Sequence, residues 1–259
     1  DPGEIPPADL LTLYVVARGI TGKLPAVPDQ RPARGFRYAR RTNPYQPENR
    51  QKPVCKRLIK EPSDSFIMKE PTPMKNQIFH RDELSKTPWK NGGGITREIA
   101  CSEPGAPYWR LSLADVTQDG AFSTFSGLNR VLTVVEGAGM ILKTGTEEIH
   151  ANPLKPVSFS GETPVMGLLK DGPVQNFNLI YDATVLKAEA FVGDIDEALK
   201  SIRFENCATA IYCLNGSIQT MFGTIFTNSG ILSPSGVPKL VDKSSGLVLL
   251  VQLHSTADG

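Results

Sequence analysis

From Lys75 onward the chain alternates apolar and polar residues in short runs, separated by Gly, Pro, Asn and Asp, which is the pattern of strands in a sandwich or barrel. After a short apolar start at Ile78 and Phe79, residues 95–100 predict a strand with Ile95, Arg97 and Ile99 on one face. Residues 109–116 predict a second, with Trp109, Leu111, Leu113 and Asp115 on one face and Arg110, Ser112 and Ala114 on the other. Its apolar and polar faces predict a core on one side only. Arg130 opens an apolar strand over 131–135 that Gly137 ends. Residues 140–143 and 147–150 predict a hairpin across Thr144, Gly145 and Thr146, and 156–161 lead to a further turn. A single helix is predicted over 194–200, where Asp194 sits three residues before Glu197 in the manner of a helix start.

An internal repeat sets the architecture. Val134, Val135, Glu136 and Gly137, a hairpin, then Pro156, Ser160, Gly161 and Pro164 are echoed by Cys213, Leu214, Asn215 and Gly216, a hairpin, then Pro234, Ser235, Gly236 and Pro238. The two Gly-to-Gly spacings, 24 and 20 residues, agree within the tolerance of a loop. Duplicated β units of this size predict two jelly rolls, over about 74–185 and 186–259, so the fold class is all-β with one short helix.

The densest chemistry lies before the first full strand, in Trp89, Lys90, Asn91, Gly92, Gly93 and Gly94, followed by Thr96, Arg97, Glu98, Ile99 and Ala100. Three successive glycines mark a turn that needs positive φ or close approach. A glycine turn that feeds a strand charged on both faces predicts the lip of a pocket.

Residues 1–73 differ from the rest. They carry 12 of the 21 prolines and 13 Lys and Arg against 8 Asp and Glu, with little hydrophobic periodicity. Such a segment buries too little apolar surface to offset its ordering entropy and is expected to be largely disordered. Its arginines, Arg31, Arg34, Arg37, Arg40 and Arg41, are interleaved only with Phe36 and Tyr38 and followed by Tyr45, so a functionless extension is favoured over a nucleic-acid arm. The chain begins with Asp1, and Met74 immediately precedes the first regular pattern, so the native protein is expected to start at Met74 or Met68, after upstream reading frame.

No run approaches the roughly 18 apolar residues of a membrane span, and the apolar run 10–16 lacks the basic start and cleavage site of a signal peptide. A cytoplasmic protein without a membrane partner is expected. Cys55, Cys101, Cys207 and Cys213 form no CxxC pair, which fits structural thiols in a reducing compartment and leaves a Cys207–Cys213 bridge as the less favoured alternative.

His80, His150 and His254 stand about seventy positions or more apart in no metal-ligand grouping, so no metal and no cofactor is expected. There is no Gly-x-Ser-x-Gly elbow, and the glycine run lacks the spacing and following helix of a phosphate loop. What remains is a set suited to a small anion: Lys90, Arg97, Arg110 and Arg130 as donors, Asn91, Ser112, Ser123 and Asn178 as neutral partners, and Trp89 and Phe122 as apolar walls.

The run from Trp89 to Ala100, then Trp109, Arg110, Leu111, Ser112, Leu113 and Ala114, then Asp119, Gly120, Ala121, Phe122 and Ser123 with Gly127 and Arg130, resembles the HutD/Ves family. Phe177 and Asn178 after Asp171, Gly172 and Pro173 resemble that family's later motif. The resemblance covers about residues 74–259. It implies an RmlC-like bicupin without the cupin metal motif, and a ligand shell of Lys90, Asn91, Arg97, Glu98, Arg110, Ser112, Arg130 and Asn178. HutD members are associated with bacterial histidine utilisation and a formylated or formiminated glutamate; Ves members are linked to stress response. The expected function is therefore binding of a small carboxylate by a regulatory protein, with no nucleic-acid partner and a homodimer left open. Its rivals are an isomerase or hydrolase with Glu98 as general base, and a stress-response interaction protein.

Overall fold

A computed structural model describes residues 76–102, 108–203, 207–241 and 244–256. The Pro- and Arg-rich segment 1–73, Met74 and Cys55 lie outside them. In chain order, β1 (Gln77–His80) leads through a 3-10 turn (Arg81–Glu83) to β2 (Lys86–Pro88), β3 (Gly94–Cys101), β4 (Trp109–Val116), β5 (Gly120–Ala121) and β6 (Asn129–Glu136). The predicted hairpin forms as β7 (Met140–Thr144) and β8 (Glu147–Ala151), followed by β9 (Val157–Ser160), β10 (Met166–Leu169), β11 (Val174–Tyr181) and β12 (Leu186–Asp194). The helix α1 (Ile195–Lys200) precedes β13 (Ala208–Thr220), β14 (Gly223–Phe226), β15 (Ser229–Ser233) and β16 (Ser245–Ser255). Asp194 holds the extended N-cap geometry, yet its side chain makes no capping hydrogen bond.

Three sheets make the fold. The central one runs β2-β3-β4-β11-β6-β9; a four-stranded sheet runs β5-β10-β7-β8; the third runs β1-β15-β13-β16-β12, with β14 paired to β13. Alternation sends Trp109, Leu111, Leu113, Phe177 and Leu179 of the central sheet against Tyr212, Leu249, Val251 and Leu253 of the third. The opposite face sends Val116, Leu132, Val134 and Val174 against Met140 and Leu142 of the four-stranded sheet. Full burial of each such side chain contributes about 2 kcal/mol. The expected one-sided core at β4 is thus corrected: the face of Arg110, Ser112 and Ala114 lines the interior of the first jelly roll, and Ser112 is 2% exposed.

The repeat is visible in its glycines, since Gly137 and Gly216 take φ of 98° and 92°. After Gly137 the chain passes into the four-stranded sheet, whereas β13 continues through Gly216 across an irregularity between Cys213 and Asn215. Residues on both sides of that irregularity, Ile211 and Cys213 before and Ile218 after, join one cluster with Ile225 and with Ile195 and Ala198 of α1. The two halves are also interleaved, because β1 belongs to the first half in sequence but pairs with β15 of the second. Among the described residues Cys101, Cys207 and Cys213 are buried, and no disulfide joins Cys207 to Cys213.

The glycine run is a turn of defined shape. Asn91 Oδ1 accepts a 3.0 Å hydrogen bond from Gly93 N, and Gly92 takes φ of +73°. Gly94 lies under the Trp89 ring, where a Cβ would strike the Asp115 carbonyl oxygen and meet the ring at 3.1 Å. Trp89 is thereby fixed at the sheet edge, its Nε1 donating to Thr96 Oγ1 at 2.8 Å. Gly94→Ala is expected to cost about 2 kcal/mol in urea unfolding, and Gly92→Ala, whose Cβ meets open space, about 1 kcal/mol from backbone strain alone. Equal losses would contradict this placement.

Candidate functional site

Strand pairing arranges the inner face of the central sheet in rows. One row runs Cys101, Arg110, Ile180, Arg130 and Phe159 across β3, β4, β11, β6 and β9. The next runs Glu98, Ser112, Asn178, Leu132 and Val157. An irregularity between Glu98 and Ala100 lets Glu98 and Cys101, three residues apart, share this face, with the Cys101 thiol 3.6 Å from Glu98 Oε1. The sheet therefore brings Glu98, Arg110, Ser112, Arg130 and Asn178 into two adjacent rows.

Arg130 is the unusual group. It is 6% exposed, and its guanidinium lies 5.3 Å from the Phe122 ring, 5.4 Å from Phe125 and 4.9 Å from Phe159. Nη1 donates to the Ser123 carbonyl oxygen at 3.3 Å and Nη2 to Asn178 Oδ1 at 3.2 Å, both neutral acceptors. Nε is buried with no acceptor on the protein. Arg110, one strand beyond β11, stacks on Phe125 at 5.3 Å and also keeps a buried Nε without acceptor. Among the described residues the arginines in ion pairs are Arg81 and Arg97; Arg110 and Arg130 are in none.

Burial, with repulsion from Arg110 added, lowers the Arg130 pKa to about 10. That depression corresponds to about 3 kcal/mol against holding the charge in place. The aromatic faces return part of it, at about 1 kcal/mol each. A base whose pKa falls on folding opposes folding while charged, so the penalty persists at every pH below about 10 and is relieved only as pH rises further. An anion between the two guanidiniums would relieve it at neutral pH.

The remaining predicted residues separate from this group. Phe122 stands edge-on to Trp89 with ring centroids 6.0 Å apart, so Trp89 supports the aromatic wall from outside. Ser123 contributes its backbone carbonyl, and its side chain is exposed. Asn91 builds the glycine turn and Lys90 is exposed beyond it, which removes both from the cluster. Arg97 is on the opposite face, level with Leu113 and ion-paired to Asp115, so it cannot share a ligand with Arg110 as expected. Phe125 and Phe159 complete the wall without standing out in the sequence; the alternation of 157–160 around Phe159 is the one local signal, and it marks only the second. Among the described residues no three His, Cys, Asp or Glu side chains gather as metal ligands.

An all-β jelly roll with guanidinium, amide and hydroxyl groups along its inner sheet defines a cupin-type protein. The HutD family model matches residues 81–229, and the chain belongs to that family. An uncharacterised 21.2 kDa protein encoded in the hutC 3′ region of Pseudomonas putida is 41% identical over 110 residues, which are 40% of this chain and 57% of that protein. The chain thus matches little more than half the length of that curated relative. The structure of HutD from Pseudomonas fluorescens SBW25, obtained in a formate condition, is 28% identical with a TM-score of 0.58, covering 70% of this chain and 99% of that one. A conserved protein of unknown function from Pseudomonas aeruginosa PAO1 is 26% identical with a TM-score of 0.57 over the same shares.

The uncompensated charge has a measurable consequence. Arg130→Met keeps apolar bulk among the three phenylalanines and is expected to leave stability unchanged or raise it by about 1 kcal/mol in carboxylate-free buffer. A loss of about 3 kcal/mol or more, the size of a core truncation, would show that the cation holds the fold together.

Proposed function

We propose that this protein binds a small carboxylate in its first jelly roll, between Arg110 and Arg130, and acts as a regulatory or sensing protein. The observation that carries this reading is a buried guanidinium whose hydrogen bonds go only to neutral oxygens and which Arg110 repels. Carboxylates match the planar fork of arginine, and removal from water strengthens the contact. Arg110 and Arg130 hold the carboxylate, Asn178 and Ser112 read its polar substituents, and Phe122, Phe125 and Phe159 exclude water.

The hutC-region relative and the formate-condition HutD structure support a ligand from histidine utilisation, of which formylglutamate and formiminoglutamate combine a carboxylate with an amide-like group. The burial of Cys101, Cys207 and Cys213, with no disulfide between Cys207 and Cys213, supports a cytoplasmic, reducing setting. No helix among the described residues is long and apolar enough to cross a membrane.

Calorimetry with formate and formylglutamate tests the site. Arg130→Gln and Arg110→Gln are each expected to weaken binding tenfold or more, the effect of removing a charged hydrogen-bond partner, while Arg97→Gln leaves it unchanged. Affinity should be level from about pH 7 to 9 and fall as pH rises through about 10, where Arg130 loses its proton. Undiminished binding in Arg130→Gln would sink the proposal.

A further inference from the structure

A polar cleft of about 330 Å³ opens where the last row of the central sheet's outer face meets the turn that follows β1, a strand of the third sheet. That row runs Ile95, Asp115, Gln175 and Glu136 across β3, β4, β11 and β6. Arg97 lines the cleft beside it, and Arg81 and Asp82, on the turn after β1, also line it.

The charges in this cleft are paired incompletely. Arg97, 7% exposed, gives Nη1 to Asp115 Oδ2, which leaves Nη2 without a hydrogen bond and Nε buried without an acceptor. Nε and Nη2 are the edge of a guanidinium that grips a carboxylate through two parallel hydrogen bonds. Gln175, 6% exposed, donates Nε2 to Asp115 Oδ1 at 2.6 Å, and its Oε1 is buried without a donor. Glu136 Oε1 accepts from Arg81 Nη1 at 2.7 Å, while Oε2 makes no hydrogen bond. Asp82, Asp115 and Glu136 against Arg81 and Arg97 leave one negative charge in excess.

A lone carboxylate would be repelled by that excess, and a lone cation would leave the Arg97 edge unsatisfied. A molecule carrying both charges answers both. We propose that this cleft is a second small-molecule site, for a free α-amino acid. Its carboxylate sits on the Nε–Nη2 edge of Arg97, and its ammonium is held by Glu136 and Gln175 Oε1. The volume lies at the lower end of the range for small-ligand pockets.

The test is calorimetry of the full chain against the twenty free α-amino acids, with propionate and propylamine as single-charge controls. At least one amino acid is expected to bind tenfold or more tightly than either control. Arg97→Lys keeps a cation beside Asp115 but removes the two-pronged edge, and should weaken that binding at least tenfold. Glu136→Gln, at a half-exposed position that unfolding does not threaten, should do the same. Arg130→Gln should leave it unchanged, which separates this site from the carboxylate site of the first jelly roll. Amino-acid binding no tighter than the controls at about 10 mM, or undiminished in Glu136→Gln and in a folded Arg97→Lys, overturns the assignment.

Discussion

The central sheet is covered on both faces, and everything else in the molecule answers to that. Period-two alternation along β3, β4, β6 and β11 gives each strand one set of side chains for the seam with the second half and another for the interior of the first jelly roll. The seam is filled by Trp109, Leu111, Leu113, Phe177 and Leu179. The inner set cannot reach water freely either, so each polar residue in it must find a partner inside the protein or in a ligand. A slip of one residue in β4 would exchange Arg110 and Ser112 for Leu111 and Leu113. The register that makes the core is therefore the register that builds the site.

Inside the first jelly roll the partners run out at Arg130. Asn178 and the Ser123 carbonyl take two of its donors, and the phenylalanine rings take its faces, but no carboxylate is supplied. On the outer face of the same sheet Arg97 has Asp115 beside it. The contrast between two buried arginines on one sheet separates a charge that has a carboxylate beside it within the fold from one that has none. Stability and binding pull in opposite directions at Arg130, which is the usual relation between a site and its scaffold.

Much of the fold was legible in the chain. Alternation located the strands, Gly145 the hairpin and Asp194 the helix start. The all-β class followed from these and from a repeat whose glycines, Gly137 and Gly216, share a backbone conformation. Pairing partners were not legible, because local pattern does not say which strand lies beside which; hence β1 joining the second half escaped notice. The site was legible in residue type but not in grouping. Arg97 and Arg110 look alike in sequence, and only the pairing of Arg97 with Leu113 and Arg110 with Cys101 assigns them to opposite faces. Asn91 resembles a ligand reader but closes a turn. Phe125 and Phe159 matter only through a guanidinium distant in sequence, a relation that no local pattern encodes.

The central claim is that the depressed guanidinium of Arg130 receives the carboxylate, and proton linkage measures it. Formate binding would be followed by calorimetry at about pH 10 in two buffers of different ionisation enthalpy, and again at pH 7. At about pH 10 the depressed guanidinium of Arg130 is partly deprotonated, so an anion placed on it should draw in a fraction of a proton per site, and more as pH rises further; at pH 7 it should draw in none. Binding at pH 10 without proton uptake would mean that the carboxylate is held elsewhere.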